Sequence, residues 1–129
     1  MVDFYKYHGL GNDFIIIDNR DNNIKLDPDE IRAICHRNFG IGADGILLCE
    51  NSQSQDIKMV IYNSDGSRAE MCGNATRCFA KYLYEKGIIK KNRISIETLA
   101  GVIIPEIQPE GDVVASIRVD MGKPVFDPK

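Results

Sequence analysis

One stretch of the sequence limits the fold more than any other, because apolar residues recur with helical spacing from residue 75 to residue 83. They stand at positions i, i+3, i+4, i+7 and i+8 and are Ala75, Cys78, Phe79, Tyr82 and Leu83. This spacing predicts one continuous apolar face of an α-helix, and Gly87 is a typical helix stop. A helix with such a face has to pack against other elements of the fold.

The segments around this helix read mostly as strands. Residues 2–7 alternate between apolar and polar, and residues 14–17 are a β-branched run typical of a buried strand. Further strands are predicted over residues 46–49, 57–62, 93–98, 102–107 and 113–121. A second helix should begin after Asp27, with Pro28 in its first position and Glu30 completing a capping box, and end at Gly40 or Gly42. Together these elements predict an α+β domain with the apolar helix laid against a curved sheet.

Composition narrows the class of protein. The 129 residues include 16 basic and 19 acidic side chains, for a net charge of −3. This length is typical of one domain, and plentiful Ile, Leu, Val and Phe argue against disorder. The chain carries no basic stripe for nucleic acid and no apolar run long enough for a membrane span. Residues 1–7 lead into no apolar segment typical of a signal peptide, so we expect a cytoplasmic protein.

The four cysteines do not indicate a metal site. Cys35, Cys49, Cys72 and Cys78 form no C-x-x-C pair, and the two histidines are far apart in sequence. We therefore expect no zinc, and in the reducing cytoplasm expected for this chain the thiols should be free. Cys78 falls on the apolar helix face, where a packing role is expected.

Cys72 differs because it directly precedes the predicted helix. The first backbone N–H groups of a helix lack intrahelical partners and can receive an anion, and the same field stabilises a thiolate. Gly73 leaves room for a ligand to approach, and Asn74 can either cap the helix or direct its amide at a ligand. The local sequence leaves two interpretations open: an anion seat beside an activated sulfur, or a plain helix cap with an incidental cysteine.

Two further asparagines stand in predicted turns. Asn12 lies in a loop over residues 8–13, and Asn63 follows a predicted strand. Each side chain could offer an amide to a polar ligand. A local Asx turn is the commoner role for such an asparagine, and local sequence favours it for both. His8 has a similar choice between acting as a base and bonding within its loop.

Four motifs, taken together, resemble the diaminopimelate epimerase family. They are Tyr-His-Gly-Leu-Gly-Asn-Asp-Phe at 7–14, Gly-Ile-Gly-Ala-Asp-Gly at 40–45, Asn-Ser-Asp-Gly-Ser at 63–67 and Cys-Gly-Asn-Ala-Thr-Arg-Cys at 72–78. Their order and spacing also fit, and the resemblance covers essentially the whole chain. It implies a curved mixed or antiparallel, barrel-like sheet wrapped around a central helix.

The resemblance also implies a chemistry. The family interconverts LL- and meso-diaminopimelate on the way to lysine and cell wall, without pyridoxal phosphate or metal. Two cysteines act on opposite faces of the substrate α-carbon. The resemblance places the first of them at Cys72 and substrate contacts at Asn12, Asn63, Gly73 and Asn74.

The chain departs from the family pattern in three respects. Family chains are longer and form two similar domains, with the second cysteine in the second domain and dimerisation usual. We therefore expect residues 1–120 to be the N-terminal domain, 121–129 to begin a linker, and one catalytic half-site to be present. Ala75 replaces a usual glycine and should narrow the anion seat slightly. Gly45 stands where some members carry a glutamine, so that substrate contact is not expected here.

Two alternatives remain. Proline racemase-like and phenazine-biosynthesis isomerase-like proteins share the fold, although the sequence His-Gly-Leu-Gly-Asn-Asp-Phe at 8–14 argues against both. The chain could also be a non-catalytic half-protein that binds an amino-acid carboxylate or a partner chain. A coding sequence that continues past Lys129 into a second Cys-Gly loop would distinguish a half-enzyme from such a module.

Overall fold

The computed structural model describes residues 4–9, 11–70, 72–111 and 113–118. Within them the chain forms two helices, α1 (Pro28–Cys35) and α2 (Gly73–Glu85). The strands are β1 (Phe4–Gly9), β2 (Asn12–Asp18), β3 (Gly45–Glu50), β4 (Ile57–Asn63), β5 (Arg68–Ala69), β6 (Ile96–Thr98), β7 (Gly101–Ile103), β8 (Glu106–Glu110) and β9 (Val113–Arg118). None of the described helices has the length and apolar character needed to cross a bilayer.

The main sheet is mixed and open. Its order is β1-β2-β3-β4-β6-β7, with the short β5 also paired to β4, while β8 and β9 form a separate hairpin. The pairs β2–β3 and β4–β6 are parallel and the others antiparallel. The expected α+β fold with a mixed sheet is confirmed, and among the described strands the barrel-like sheet is open rather than closed. Pro105 follows β7 without a backbone N–H to donate, and the chain then turns away into the β8–β9 hairpin.

Helix α2 packs against β1, β2 and β9. All five residues of the predicted apolar face are at most 3% exposed, so the helical periodicity is confirmed. Ala80 and Tyr84 are buried as well, which means that α2 is enclosed on more than its apolar face. The expectation of a central helix is therefore confirmed.

The sheet carries a core on each face, which explains the β-branched run in β2. Phe14 and Ile16 belong to the cluster that contains α2, whereas Ile15 and Ile17 belong to the cluster that contains Ile31 of α1. Both faces of β2 are thus buried, and such strands read as continuous apolar runs rather than alternating ones.

Helix α1 starts as predicted but ends earlier. The Asp27 carboxylate accepts from the backbone N–H of Glu30, and the Glu30 carboxylate accepts from the N–H of Asp27, which completes the capping box. The helix stops at Cys35 rather than at Gly40 or Gly42. His36 has extended backbone, and its Nδ1 accepts from the N–H groups of the second and third residues after it. This local bonding replaces further helical turns.

Other boundaries also differ. Residues 8 and 9 belong to β1 and residues 12 and 13 to β2, so the predicted loop is a tight hairpin in which Gly11 has a φ of 89°. The two-residue strand β5 had no sequence signal. The domain boundary at 120, the linker at 121–129 and the last predicted strand residues, 119–121, lie outside the described residues.

Candidate active site

Polar residues gather at one end of the main sheet. Strands β2 and β3 begin there and β4 ends there, since Gly45 pairs with both Phe14 and Asn63. The N-terminus of α2 reaches the same end, where Asn74 contacts Asn12. The β1–β2 hairpin approaches α2 closely at Gly9, where a Cβ would lie 3.1 Å from the sulfur of Cys78. The fold therefore brings segments far apart in sequence into one cluster.

Cys72 is the residue at the N-terminal cap of α2. Its backbone is extended, with φ −151° and ψ 122°, and its side chain makes no capping hydrogen bond. Its carbonyl accepts from the N–H and hydroxyl of Thr76, at 2.9 and 3.0 Å. The N–H groups of Gly73 and Asn74 donate to no acceptor among the described residues, as expected for a first helical turn. The half-buried sulfur thus stands beside open backbone donors.

The other three cysteines belong to the core. Cys35, Cys49 and Cys78 are each at most 4% exposed. Burial raises the pKa of the Cys78 thiol to about 11 and that of Cys49 to about 12, so both remain protonated near neutral pH. The packing role expected for Cys78 is confirmed, and of the four thiols Cys72 alone is partly accessible.

Asn12 and Asn74 are brought together. The Nδ2 of Asn74 donates to the Oδ1 of Asn12 at 2.6 Å, and the Nδ2 of Asn12 donates to the Oδ2 of Asp44 at 3.2 Å. The guanidinium of Arg77 reaches the Oδ1 of Asn74 in a long contact of 3.4 Å. Neither asparagine forms a local Asx turn, so the turn interpretation is wrong for Asn12.

Asn63 lies at the same sheet end but bonds within its own turn. Its Nδ2 donates to the hydroxyl of Ser67 at 3.0 Å, and its N–H donates to the Ser67 carbonyl. Two strand spacings, about 10 Å, separate the backbones of β2 and β4. The turn interpretation therefore describes Asn63 in this structure, and its substrate contact stays a prediction.

Ala75, the third residue of the first helical turn, is a core residue. Ala75 is fully buried and packs in the core cluster with Phe79. The effect of this methyl on the anion seat stays a prediction. Gly45 has no room for a side chain, since a Cβ would lie 2.5 Å from the carbonyl of Tyr62.

A charged cluster supports the site, and sequence reasoning did not assign roles to its members. The buried carboxylate of Asp13 receives two bonds of 2.9 Å from the Arg37 guanidinium and lies 3.3 Å from the Nζ of Lys6. Arg37 also bonds Asp44 at 3.0 Å. The Arg37 guanidinium holds the pKa of the Asp13 carboxyl well below its usual range. The sequence does show acidic residues, Asp13 and Asp44, where two predicted strands begin. It does not show that these strands pair in parallel and so bring the two residues together.

Replacing Asp13 by asparagine should therefore make the free energy of unfolding less dependent on pH in the acidic range. A carboxyl whose pKa is lower in the folded than in the unfolded chain stabilises the fold above the unfolded pKa, and this contribution is lost as the pH falls. At pH 7 we expect Asp13→Asn to lower the free energy of unfolding by about 1–2 kcal/mol. The difference from the parent should shrink below about pH 4.

Urea unfolding from pH 7 to pH 2 checks this. Asp21→Asn is the control, since Asp21 is exposed and should shift stability by less than about 0.5 kcal/mol. A loss for Asp13→Asn that stays constant over the whole pH range would show that the ion pair with Arg37 is not the cause.

Sequence comparisons match the chain to one family of known proteins. A family model described as diaminopimelate epimerase matches residues 4–126. The diaminopimelate epimerase of Caldanaerobacter subterraneus subsp. tengcongensis is 54% identical over 125 residues, covering 96% of this chain and 44% of the relative. That of Clostridium perfringens is 52% identical over 127 residues, covering 98% and 47%. The chain thus spans a little under half the length of these curated relatives.

Solved structures share the fold at lower identity. A hydroxyproline epimerase from Agrobacterium vitis superposes with a TM-score of 0.70 at 14% identity, over 90% of this chain and 40% of that one. A Bacillus anthracis phenazine biosynthesis protein of the PhzF family gives 0.62 at 23% identity, over 87% and 37%. These two show the fold alone, while the match to the family model extends over nearly the whole sequence. On that match, the chain belongs to the diaminopimelate epimerase family.

Proposed function

We propose that this chain is the N-terminal half of a diaminopimelate epimerase and supplies one of its two catalytic thiols. Residues 1–120 would form the domain and residues 121–129 would begin the link to a second domain. The observation that carries the proposal is the placement of Cys72: it is the partly accessible cysteine, its side chain makes no capping bond, and it stands at the first turn of α2.

The first helical turn suits the substrate carboxylate. Its open N–H groups, at Gly73 and Asn74, and the helix dipole both favour an anion. Asn12 and Asn74 add amide groups on the side facing the β1–β2 hairpin. In this proposal the α-carboxylate sits on the helix terminus, and this places the α-carbon beside the sulfur of Cys72. Asn63 would contact the substrate from the β4–β5 turn.

The reaction is a transfer of protons. The Cys72 thiolate takes the α-hydrogen as a proton, and the electron pair of the broken C–H bond stays on the α-carbon and spreads into the carboxylate. The helix N–H groups stabilise this added charge, as backbone donors do in an oxyanion hole. A proton returned on the opposite face completes the inversion, and Cys72 is left as a thiol. The chemistry assigns no role to a metal or cofactor.

In this proposal the thiol on the opposite face comes from outside the described residues. The remaining thiols that the structure describes are buried in the core and cannot reach a substrate at the terminus of α2. The greater length of the relatives is consistent with a second half that supplies this group. We also propose that the full-length protein forms the homodimer that the resemblance implies.

The test compares two proteins on LL-diaminopimelate, with the meso product measured by chiral chromatography. The full-length protein should epimerise the substrate, whereas residues 1–129 alone should give no turnover. Ordinary rates from the 129-residue chain would contradict the half-site. Binding of diaminopimelate by the full-length protein without any turnover would favour a carboxylate-binding module instead.

A further inference from the structure

A chain of hydrogen bonds connects Asp44 to Arg77 through the two site asparagines. The Oδ2 of Asp44 accepts from Asn12 at 3.2 Å, and Asn12 in turn accepts from Asn74 at 2.6 Å. Arg77 ends this series of hydrogen bonds, with its guanidinium 3.4 Å from the side-chain Oδ1 of Asn74. The contacts join residues from the α1–β3 connection, the start of β2 and the first turn of α2.

The two end residues, Asp44 and Arg77, fix the donor-to-acceptor direction of this series of hydrogen bonds. An ionised carboxylate only accepts hydrogen bonds and a guanidinium only donates them, whereas an asparagine amide can turn either way. Because Asp44 accepts, the Nδ2 of Asn12 has to face it, and the Oδ1 of Asn12 then faces Asn74. The same reasoning turns the Nδ2 of Asn74 toward Asn12. Each amide keeps one further N–H for a ligand.

Asp44 is itself held firmly. Its carboxylate accepts from the backbone N–H of Asp13 at 2.9 Å and from Arg37 at 3.0 Å, while its own N–H donates to the Asp13 carbonyl. Its carbonyl accepts from the N–H of Ser64, the residue after Asn63. One residue therefore ties together the starts of β2 and β3 and the turn that ends β4.

We infer that Asp44 is a positioning residue that sets the amide orientation of Asn12 and, through it, of Asn74. The consequence for substrate rests on the proposed function, since the amide N–H groups so directed would meet the diaminopimelate carboxylate. Asp44 does not touch the substrate and moves no proton. Asp44 acts because its carboxylate only accepts hydrogen bonds, and this fixes the orientation of the Asn12 amide.

The variant that removes this character with little change of shape is Asp44→Asn. Its matched control is Asp56→Asn, because Asp56 also bonds a cation and a backbone N–H, those of Lys91 and Ser95, at the opposite end of β4. Both variants are made in the full-length protein, and urea unfolding establishes that each is folded. Asp44→Glu keeps an acceptor-only group and serves as the conservative variant, including in the event that Asp44→Asn fails to fold.

Two readouts separate the inference from the proposed function. The first is the ¹⁵N–¹H spectrum of the side-chain amides without ligand, in which Asp44→Asn should move the Asn12 and Asn74 signals and Asp56→Asn should not. The second is the Kd for diaminopimelate, which Asp44→Asn should raise about tenfold to a hundredfold, in line with the loss of a charged hydrogen bond. Asp44→Glu should restore part of both.

The outcomes are distinct. Unchanged Asn12 and Asn74 amide signals in Asp44→Asn would overturn the inference whatever the ligand does. Shifted signals with a Kd equal to that of Asp56→Asn would overturn the positioning role. A parent protein that does not bind diaminopimelate would overturn the proposed function, while the amide signals would still decide whether Asp44 sets the orientation.

Discussion

Replacement of Cys72 by serine should lower the rate of LL-diaminopimelate epimerisation about a thousandfold in the full-length protein, with little loss of stability. A positioned general base contributes about 10²–10⁴ to a rate, and a serine hydroxyl is far less acidic than a thiol and does not supply the anion. Cys72 makes no capping bond and is half-buried, so its replacement removes little packing. The rate of meso formation and the urea midpoint together measure the effect.

Cys49→Ala is the matched control for this experiment. Cys49 is fully buried on β3 and pairs with Met59, at the end of the sheet opposite to the site. Its loss should cost about 1–2 kcal/mol of stability through a small cavity and leave the rate within about twofold. The two variants should thus show opposite patterns. A Cys72→Ser protein as active as Cys49→Ala would remove Cys72 from the mechanism.

Among the proposed substitutions, Phe79→Ala should lower the free energy of unfolding most, by about 3–5 kcal/mol. Phe79 is fully buried on α2 and belongs to the cluster that joins the helix to β2, β3 and β4. Truncation removes the ring and leaves a cavity that the close-packed surroundings fill only in part. Since Asn74 lies in α2 and Cys72 is its N-cap, the same change should loosen the site. Urea unfolding at pH 7 measures the loss.

Leu99→Ala is the control for Phe79→Ala. Leu99 is 55% exposed, between β6 and β7, so its truncation should change the free energy of unfolding by less than about 0.5 kcal/mol. Comparable losses for the two variants would mean that α2 is not the centre of the core.

The elements with strong periodicity could be predicted from the sequence. The apolar spacing from Ala75 to Leu83 identified α2, because a helix with one buried face has apolar residues at helical intervals. The β-branched run identified β2, because a strand buried on both faces is apolar at every position. The capping box identified the start of α1. Its end was missed because the His36 side chain bonds the following backbone, which no periodicity reports.

The open edge of the sheet and the parallel pairings were harder to predict. The pairs β2–β3 and β4–β6 form across long connections, and residue spacing does not determine which strands meet. The barrel-like description came from the resemblance to the family, not from residue spacing. Within the described residues, β7 is only three residues long and is followed by Ile104 and Pro105, so the sheet ends there.

Local physics predicted part of the site. The position of Cys72 before a helix and the open N–H groups of its first turn follow from sequence alone. The contact between Asn12 and Asn74 spans 62 residues, and the role of Asp44 depends on that contact and on the parallel pairing of β2 with β3. Such relations appear only once the chain is folded.

The most direct test of the proposed two-base chemistry is a single isotope measurement. The full-length protein is incubated with LL-diaminopimelate in D₂O, and substrate and product are separated at early times. If one group removes the α-proton and another, exchanged with solvent, returns a proton on the opposite face, the meso product should carry deuterium at the inverted carbon. The recovered LL substrate should retain its hydrogen, and Cys72→Ser should abolish the incorporation. A meso product without deuterium, or equal incorporation with Cys72→Ser, would contradict the role proposed for Cys72.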